Sequence, residues 1–371
     1  MTRHERLARI FRGEPVDRPA IKLWSVFRGQ PLMHPDYKPV YELALATTDL
    51  FDGGAAPFDC AFGVGSPERA ISRRRVDGDW DDVTSSFRAG DRTLTQVFRE
   101  SRHRKPGYTM EHFVKDERDL EAILALPYAP YPADVAPYEA AEARVGEDGI
   151  AVYNLPHPAY SLQRLLGSET LAFMLAERRD LVDRAVELFS ERLIRHVRDL
   201  LDAGIARRGF LAFGWVGPEL FIPPLISPRD FDRYCSAPDK RLIDLIKGAG
   251  GHIWIHCHGK VRDFIGRFAD MGCDMLNPVE PPPMGDVSLR EAFGIAGGRM
   301  ALEGNLQIGD VMTASPERLR FLIDRAAEEA GERFVLGLTT SYMEVPEPDR
   351  RLIDNLLLYL RYGLERLESR R

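Results

Sequence analysis

The chain has 371 residues, 50 Lys and Arg against 57 Asp and Glu, a net charge of -7 and 44% hydrophobic residues. This balance is typical of a globular protein, and a mildly acidic chain without a basic stripe is a poor partner for nucleic acid. The absence of an apolar run of roughly 18 residues, of a signal-peptide core and of a disulfide-like cysteine pattern predicts a cytoplasmic protein without membrane spans.

The N-terminal part of the chain predicts irregularly spaced elements. Residues 1–12 have the pattern of an amphipathic helix, and residues 20–24 are a candidate first strand. Residues 92–100 and 108–114 predict an antiparallel hairpin, because Lys-Pro-Gly between them has turn chemistry. Residues 127–137 are rich in proline and predict a linker that wraps around the main fold.

From about residue 150 onward, strand and helix patterns alternate. The predicted strands are residues 151–155, 209–215, 252–256, 273–279, 300–303 and 334–338. The helical patterns between them include residues 170–201, 231–247 and 317–330. Three of the predicted helices begin with a capping serine, namely Ser227, Ser288 and Ser315. This alternation predicts a parallel sheet.

The sheet is expected to close into a distorted (β/α)8 TIM barrel of the α/β class. No glycine-rich nucleotide loop follows a strand, and polar residues gather at the carboxyl ends of several strands, where barrels build their active sites. A minimal barrel needs roughly 250 residues. We therefore expect one domain over residues 1–371, with residues 51–138 inserted as a lid that contains the hairpin.

A pair of histidines is the sharpest chemical feature of the sequence. His256 and His258 end a predicted strand, so their side chains point to the same face and Cys257 points to the other. Two imidazoles at a strand end are a sound start for a zinc site, although two ligands alone do not complete one. The alternative is a hydrogen-bonded pair that orients a substrate anion.

Other polar and aromatic residues also follow predicted strands. Glu219 and Glu280 lie in proline-rich loops and are candidate catalytic acids or bases, with Glu219 also a candidate third metal ligand. Tyr342 is a candidate proton donor. The candidate substrate-binding residues are Trp24, Arg28, Asn154, His157, Trp215, Asn277 and Glu303. Glu303 could equally be structural, and Trp24 could be ordinary barrel packing.

Several motifs together resemble the uroporphyrinogen decarboxylase superfamily, particularly its branch of cobalamin-linked methyltransferases. They are residues 12–19, 166–169, 226–231, 256–259, 271–274 and 303–305, with the C-terminal helix around Asn355. The resemblance covers nearly the whole chain. It implies a distorted (β/α)8 barrel, a small-molecule substrate and a homodimer.

The chain departs from the family pattern at two places. The arginine-rich segment that decarboxylases carry after the first strand is here residues 24–31, with one arginine, which counts against a substrate with eight carboxylates. Methyltransferases of the family bind zinc through His-x-Cys and a later cysteine. Here His258 replaces the first cysteine, and no cysteine lies near Ser341. An oxygen and nitrogen site of His256 and His258 with Glu219 or Glu280 is the hypothesis in its place.

The resemblance favours a methyltransferase that demethylates a small methylated substrate, with a metal or an acid activating the heteroatom. The acceptor would be a corrinoid, which a partner such as a corrinoid carrier protein supplies. The main alternative is a metal-free decarboxylase that acts on a smaller carboxylated substrate. A metal hydrolase and a non-catalytic binding protein rank below these two.

Overall fold

The fold is that of a computed structural model, which describes residues 1–103, 105–207 and 209–369. The strands are β1 Ala20–Ile21, β2 Leu50–Gly54, β3 Ala70–Arg75, β4 Trp80–Ala89, β5 Arg92–Ser101, β6 Tyr108–Glu111, β7 Gly149–Pro156, β8 Ala212–Val216, β9 His252–His256, β10 Met275–Val279, β11 Ala301–Leu306 and β12 Phe334–Leu338.

The helices surround these strands. They are α1 Arg3–Arg12, α2 Lys38–Thr47, α3 Glu117–Leu124, α4 Ala136–Val145, α5 Pro158–Glu177, α6 Arg179–Asp202, α7 Pro228–Phe231, α8 Ala237–Gly248, α9 Arg262–Met271, α10 Leu289–Ala296, α11 Ile308–Thr313, α12 Pro316–Glu329 and α13 Arg350–Glu368. The predicted helix over residues 170–201 is interrupted at Arg178, whose backbone is not helical, so that α5 and α6 are separate helices.

Eight strands form one parallel sheet in the order β1-β12-β11-β10-β9-β8-β7-β2. Alternate residues face two different cores. Ala212, Trp254 and Val335 belong to an inner core, whereas Phe213, Ile255 and Leu336 belong to an outer core under the helices. Two cores separated by one curved parallel sheet are the arrangement of a (β/α)8 barrel, and the predicted fold class is confirmed.

The local sequence signals at the helix starts are also confirmed. The side chains of Ser227, Ser288 and Ser315 each accept a hydrogen bond from the backbone N–H three residues later. At the other end of the barrel, α1 closes the inner core, because its Leu7, Ile10 and Phe11 are buried among inward-facing strand residues. This closure leaves the carboxyl ends of the strands as the open end.

The barrel is joined between its end strands β1 and β2 by Asp49 rather than by a continuous ladder. The backbone N–H of Asp49 donates to the Ile21 carbonyl at 2.8 Å, and its carboxylate accepts from the Ile21 N–H at 2.9 Å. The same fully buried carboxylate pairs with Arg6 at 2.6 Å and with Arg18 at 3.1 Å. One acidic side chain thus links the first two strands to the helix that closes the barrel.

Residues 70–111 form a separate antiparallel sheet in the order β3-β4-β5-β6. The predicted strand over residues 92–100 is β5, and its pairing with residues 108–111 is confirmed in β6. Its longer partner, however, is β4, which the sequence analysis missed. Phe87 of β4 and Leu94 of β5 belong to the outer core of the barrel. We call these four strands the lid sheet.

None of the helices that the described residues form is long and apolar enough to cross a membrane.

Replacement of Asp49 by Asn should lower the free energy of unfolding by about 3 kcal/mol, because buried Arg18 loses its carboxylate partner and buried Arg6 keeps only Asp17. The measurement is urea denaturation of both proteins at neutral pH, with the slope compared to show that the unfolding transition is otherwise unchanged. Asp354, which pairs with Arg350 on the exposed face of α13, is the matched control. If Asp49→Asn is as stable as Asp354→Asn, the role of Asp49 is refuted.

Candidate active site

A cup opens at the carboxyl ends of the barrel strands. Its space depends on two inward-facing positions that carry no side chain, Gly53 and Gly214. A Cβ atom at Gly214 would lie 2.8 Å from the indole of Trp254, and one at Gly53 would lie 2.2 Å from the amide of Asn154. Glycine at these positions therefore provides the space in which larger side chains from neighbouring strands reach the barrel axis.

The floor of the cup is a buried ion pair. The Lys22 ammonium lies 2.8 Å from the Glu303 carboxylate, and both side chains are almost completely buried. The ammonium also lies 4.0 to 4.9 Å from the ring centroids of Trp24, Phe51 and Trp254. Burial lowers the pKa of Lys22, and the nearby Glu303 only partly offsets this. The second Glu303 oxygen accepts from the Trp254 indole at 3.1 Å.

Aromatic and uncharged groups form the wall above this floor. A cavity of about 200 Å³ is lined by Lys22, Trp24, Ser25, Phe27, Phe51, Asp52, Gly53, Val152, Asn154 and Trp254. Both charged groups among these residues have partners, since Lys22 pairs with Glu303 and Asp52 pairs with Arg144 at 2.6 Å. The lining of this cavity is therefore neutral overall, and Asn154 offers it an exposed amide.

His256 lies on the β9 side of the cup in a single tautomer. Its Nδ1 is 2.6 Å from Oδ1 of Asn277, and since an amide oxygen can only accept, Nδ1 carries the proton and Nε2 the lone pair. Burial, together with the smaller effect of the neighbouring His258, lowers the pKa of His256 to about 3. Asn277 is fully buried, and its Nδ2 has no hydrogen-bond partner among the described residues.

His258 begins a hydrogen-bonded belt along the strand ends. Its Nδ1 is 3.2 Å from a Glu280 oxygen, which also accepts from the Gly259 N–H at 2.7 Å. The other Glu280 oxygen accepts from Gln307, which in turn accepts from Thr339, both at 3.1 Å. Burial alone would raise the pKa of Glu280, but these hydrogen bonds outweigh it and lower the pKa. The belt holds the His258 ring close to His256, with the ring centroids 4.5 Å apart.

Glu219 lies near His258, in a short 3-10 turn after β8. Its carboxylate accepts from the backbone N–H of Gly217 at 2.9 Å. Burial raises the pKa of Glu219, an effect that this hydrogen bond and the nearby His258 and His157 only partly offset. Glu219 is thus a carboxyl group that keeps its proton more readily than an exposed glutamate, which suits a general acid.

The predicted zinc ligands are only partly assembled. His256 and His258 each have Nδ1 next to an oxygen acceptor, the outer-shell arrangement of zinc-binding imidazoles. No group of three or more His, Cys, Asp or Glu within the described ranges, however, is placed to hold a metal ion. Glu280 is already engaged by three donors, and Glu219 by its own loop. The residues present therefore do not form a complete protein zinc site.

Four of the residues predicted from sequence lie away from the cup. The side chain of Arg28 pairs with Asp148 and bonds the carbonyls of Arg144 and Val145. Trp215 faces the outer core rather than the barrel axis. Tyr342 is buried against Tyr37 with its ring centroid 5.1 Å away, and burial raises its pKa. His157 is buried against Asp239 at 3.1 Å.

Several residues at the cup were not among the sequence predictions, and three of them matter most for its chemistry. Lys22, Trp254 and Gln307 supply the floor cation, its aromatic neighbour and the middle of the belt. The positions of Lys22 and Trp254 could have been predicted from the sequence. Lys22 lies two residues from the inward-facing positions Ala20 and Trp24, and Trp254 lies two residues before His256. The alternation of side chains along a strand predicts the same face for each.

Replacement of Lys22 by Met should lower the free energy of unfolding by about 3 to 5 kcal/mol, because it leaves the Glu303 carboxylate buried without a partner. The double variant Lys22→Met with Glu303→Gln should recover much of this loss, since it buries no charge. Chemical denaturation of the two single variants and the double variant measures the coupling. If the losses in free energy of unfolding of the two single variants simply add in the double variant, the ion pair between Lys22 and Glu303 is refuted.

His256 should stay neutral in the folded protein as the pH falls from 6.5 toward 3, while the unfolded chain binds a proton on this residue near its ordinary pKa of 6.5. Its contribution to stability is then complete above pH 6.5 and declines below it by about 1.4 kcal/mol per pH unit. Urea denaturation between pH 4 and pH 7 should therefore show a smaller pH slope for His256→Gln than for the wild type. If the free energy of unfolding depends equally on pH in both proteins, the conclusion that His256 stays neutral in the folded protein is refuted.

This chain is similar to one known protein family in sequence and to solved structures in fold. The model of the family described as uroporphyrinogen decarboxylase (URO-D) matches residues 164–344. A methyltransferase from Methanosarcina mazei is similar in structure, with 15% identity, a TM-score of 0.60, and 97% of this chain and 98% of that chain covered. No curated protein matches the chain.

A second solved structure, a B12-independent methionine synthase from Shewanella sp. W3-18-1 in complex with selenomethionine, has 13% identity and a TM-score of 0.40, over 82% of this chain and 75% of that chain. The methanogen structure shares the fold over nearly the full length of both chains. The family match includes both histidines and the three glutamates described above, Glu219, Glu280 and Glu303. The chain therefore resembles the uroporphyrinogen decarboxylase superfamily, as its sequence motifs predict.

Proposed function

We propose that the protein is a methyltransferase that removes a methyl group from a small, uncharged methylated substrate and transfers it to a reduced corrinoid. The corrinoid is a second substrate here, supplied by a partner such as a carrier protein. The observation that carries the proposal is the neutrality of the cup, in which Glu303 compensates the floor cation Lys22. The resemblance to the uroporphyrinogen decarboxylase superfamily supports it.

A neutral aromatic cup selects against the substrate that the family name suggests. A porphyrinogen with eight carboxylates needs uncompensated cations, and both charged groups that line the cavity are already paired. A cavity of about 200 Å³ also suits a small molecule rather than a tetrapyrrole. Trp24 and Trp254 would contact the apolar part of the donor, and the Asn154 amide would orient its polar group.

The groups next to the cup can supply the proton that demethylation needs. In an ether donor, the carbon–oxygen bond breaks, the oxygen keeps the electron pair, and it takes a proton to leave as an alcohol. The corrinoid supplies the electron pair for the new bond to the methyl carbon. Glu219 would donate the proton, because burial keeps its pKa raised. Glu280 and Asn277 would hold His258 and His256 in place, and the Nε2 lone pair of His256 would accept a hydrogen bond from the alcohol that leaves.

Decarboxylation of a small carboxylated substrate is the second candidate. The family match favours it, and so does the His258–Glu280 pair, which could serve as a metal-free acid and base. The two reactions differ in their products, since one yields a methylated corrinoid and the other carbon dioxide. A single assay mixture can therefore distinguish them.

The test is transfer of methyl groups from a panel of neutral methyl ethers to cob(I)alamin, followed by the absorbance of the methylated product. We expect turnover by the wild type and a loss of at least about a hundredfold in kcat for Glu219→Gln, which keeps the shape of the side chain but removes its proton. Carbon dioxide is measured in parallel with carboxylated analogues.

His103→Gln is the control variant and should keep the wild-type kcat, because His103 is exposed in the turn after β5, where it pairs with Asp79. Release of carbon dioxide without methyl transfer would replace the proposal by the decarboxylase.

Elemental analysis of the purified protein addresses the predicted zinc separately. Stoichiometric zinc in the wild type that is lost in His258→Ala would show that His258 binds a metal in this site.

A further inference from the structure

A second cavity lies between the lid sheet and the first turns of α5. Its volume is about 260 Å³, and its lining comes from four separate segments of the chain. The loop after β2 contributes Phe62, the lid sheet contributes Gln96, and α5 contributes Arg164. This cavity and the cup share strand β7, since Asn154 lines the cup and Pro156 lines the second cavity.

Two arginines, both exposed, line this cavity. The guanidinium of Arg69, just before β3, lies 5.3 Å from the ring centroid of Phe113 and 5.5 Å from that of Phe62. Arg164 donates to the Tyr160 hydroxyl at 3.2 Å. Within residues 1–103, 105–207 and 209–369, neither guanidinium forms an ion pair with a carboxylate. Most neighbouring lid arginines, such as Arg73, Arg74 and Arg99, do form ion pairs.

The other lining residues determine the charge and the apolar surface that a ligand of this cavity would meet. Asp59 is the acidic residue among the lining residues, and its Oδ1 is held by the backbone N–H groups of Ala61 and Phe62 at 2.7 and 3.0 Å. Two arginines against one aspartate leave a net positive charge. Phe58, Phe62 and Phe113 supply flat apolar walls beside it.

We propose that this cavity is a binding site for a small carboxylate that carries an aromatic or other flat apolar group. The carboxylate would bridge the guanidinium groups of Arg69 and Arg164, since planar guanidinium matches carboxylate geometry. The apolar group would pack against the phenylalanine rings. Such a ligand would connect the lid sheet to α5 of the barrel. The proposal does not depend on methyl transfer, because it concerns a different cavity.

The test uses benzoate as the probe, titrated into the full chain by isothermal calorimetry at low salt. We expect benzoate to bind at least about tenfold more tightly than benzyl alcohol, which has the same ring without the charge, and than inorganic phosphate, which has charge without a ring. Arg69→Met and Arg164→Met should each weaken benzoate binding about tenfold or more, whereas Arg69→Lys should retain part of the affinity.

Arg88→Met is the matched control, because Arg88 is an exposed lid arginine whose contact is the carbonyl of Gly90 at 3.4 Å. Thermal unfolding of each variant shows whether the fold is retained. Unchanged benzoate affinity in both Arg69→Met and Arg164→Met would overturn the site. Equal affinity for phosphate and benzoate would overturn the proposed ligand class, since the aromatic walls would then contribute nothing.

Discussion

The ion pair between Lys22 and Glu303 sets the chemistry of the open end of the barrel. A lone ammonium or carboxylate at this depth would be costly, so each group requires the other. Trp24, Phe51 and Trp254 surround the ammonium, and the Trp254 indole also donates to Glu303, so the same contacts that neutralise the pair order the aromatic wall. The neutral floor then decides which substrates the cup can accept.

Space for this arrangement comes from the absence of side chains at neighbouring positions. Gly214 makes room for Trp254, and Gly53 makes room for Asn154. A closed barrel of eight strands is normally filled by layers of side chains, so a cavity arises where several inward positions of one layer are glycine. The binding cup is thus a consequence of packing, and its polar groups are those that the glycines allow to reach the axis.

Above the floor, backbone geometry and hydrogen bonds decide which atoms face a ligand. Asn277 holds Nδ1 of His256, and Glu280 lies against Nδ1 of His258, so the two imidazoles are oriented by neighbouring strands β9 and β10. Gln307 and Thr339 extend this support to the two strands beyond. The lid sheet adds a second polar cavity on the β7 side, where arginine replaces histidine as the dominant polar group.

Sequence by itself determined the alternation of strands and helices, the capping serines and the shared face of His256 and His258. These features depend on the two periodicities of the backbone and on contacts within four residues, which a linear pattern records. The hairpin that the sequence predicted inside the lid region is present, but residues 51–54 of that region belong to barrel strand β2, and β2, β3 and β4 were not predicted. Residues 80–89 of β4 mix charged, hydroxyl and apolar side chains without clear alternation.

The tertiary structure alone decided which residues meet at the axis. Lys22 and Glu303 lie on strands at opposite ends of the chain and become neighbours because the sheet closes with β12 between them. Trp215 is excluded from the cup because the alternation along β8 turns Gly214 inward, and Arg28 is drawn to Asp148 instead. Strand patterns show that alternate residues share a face, whereas closure of the barrel decides which face is inside and which charges become partners.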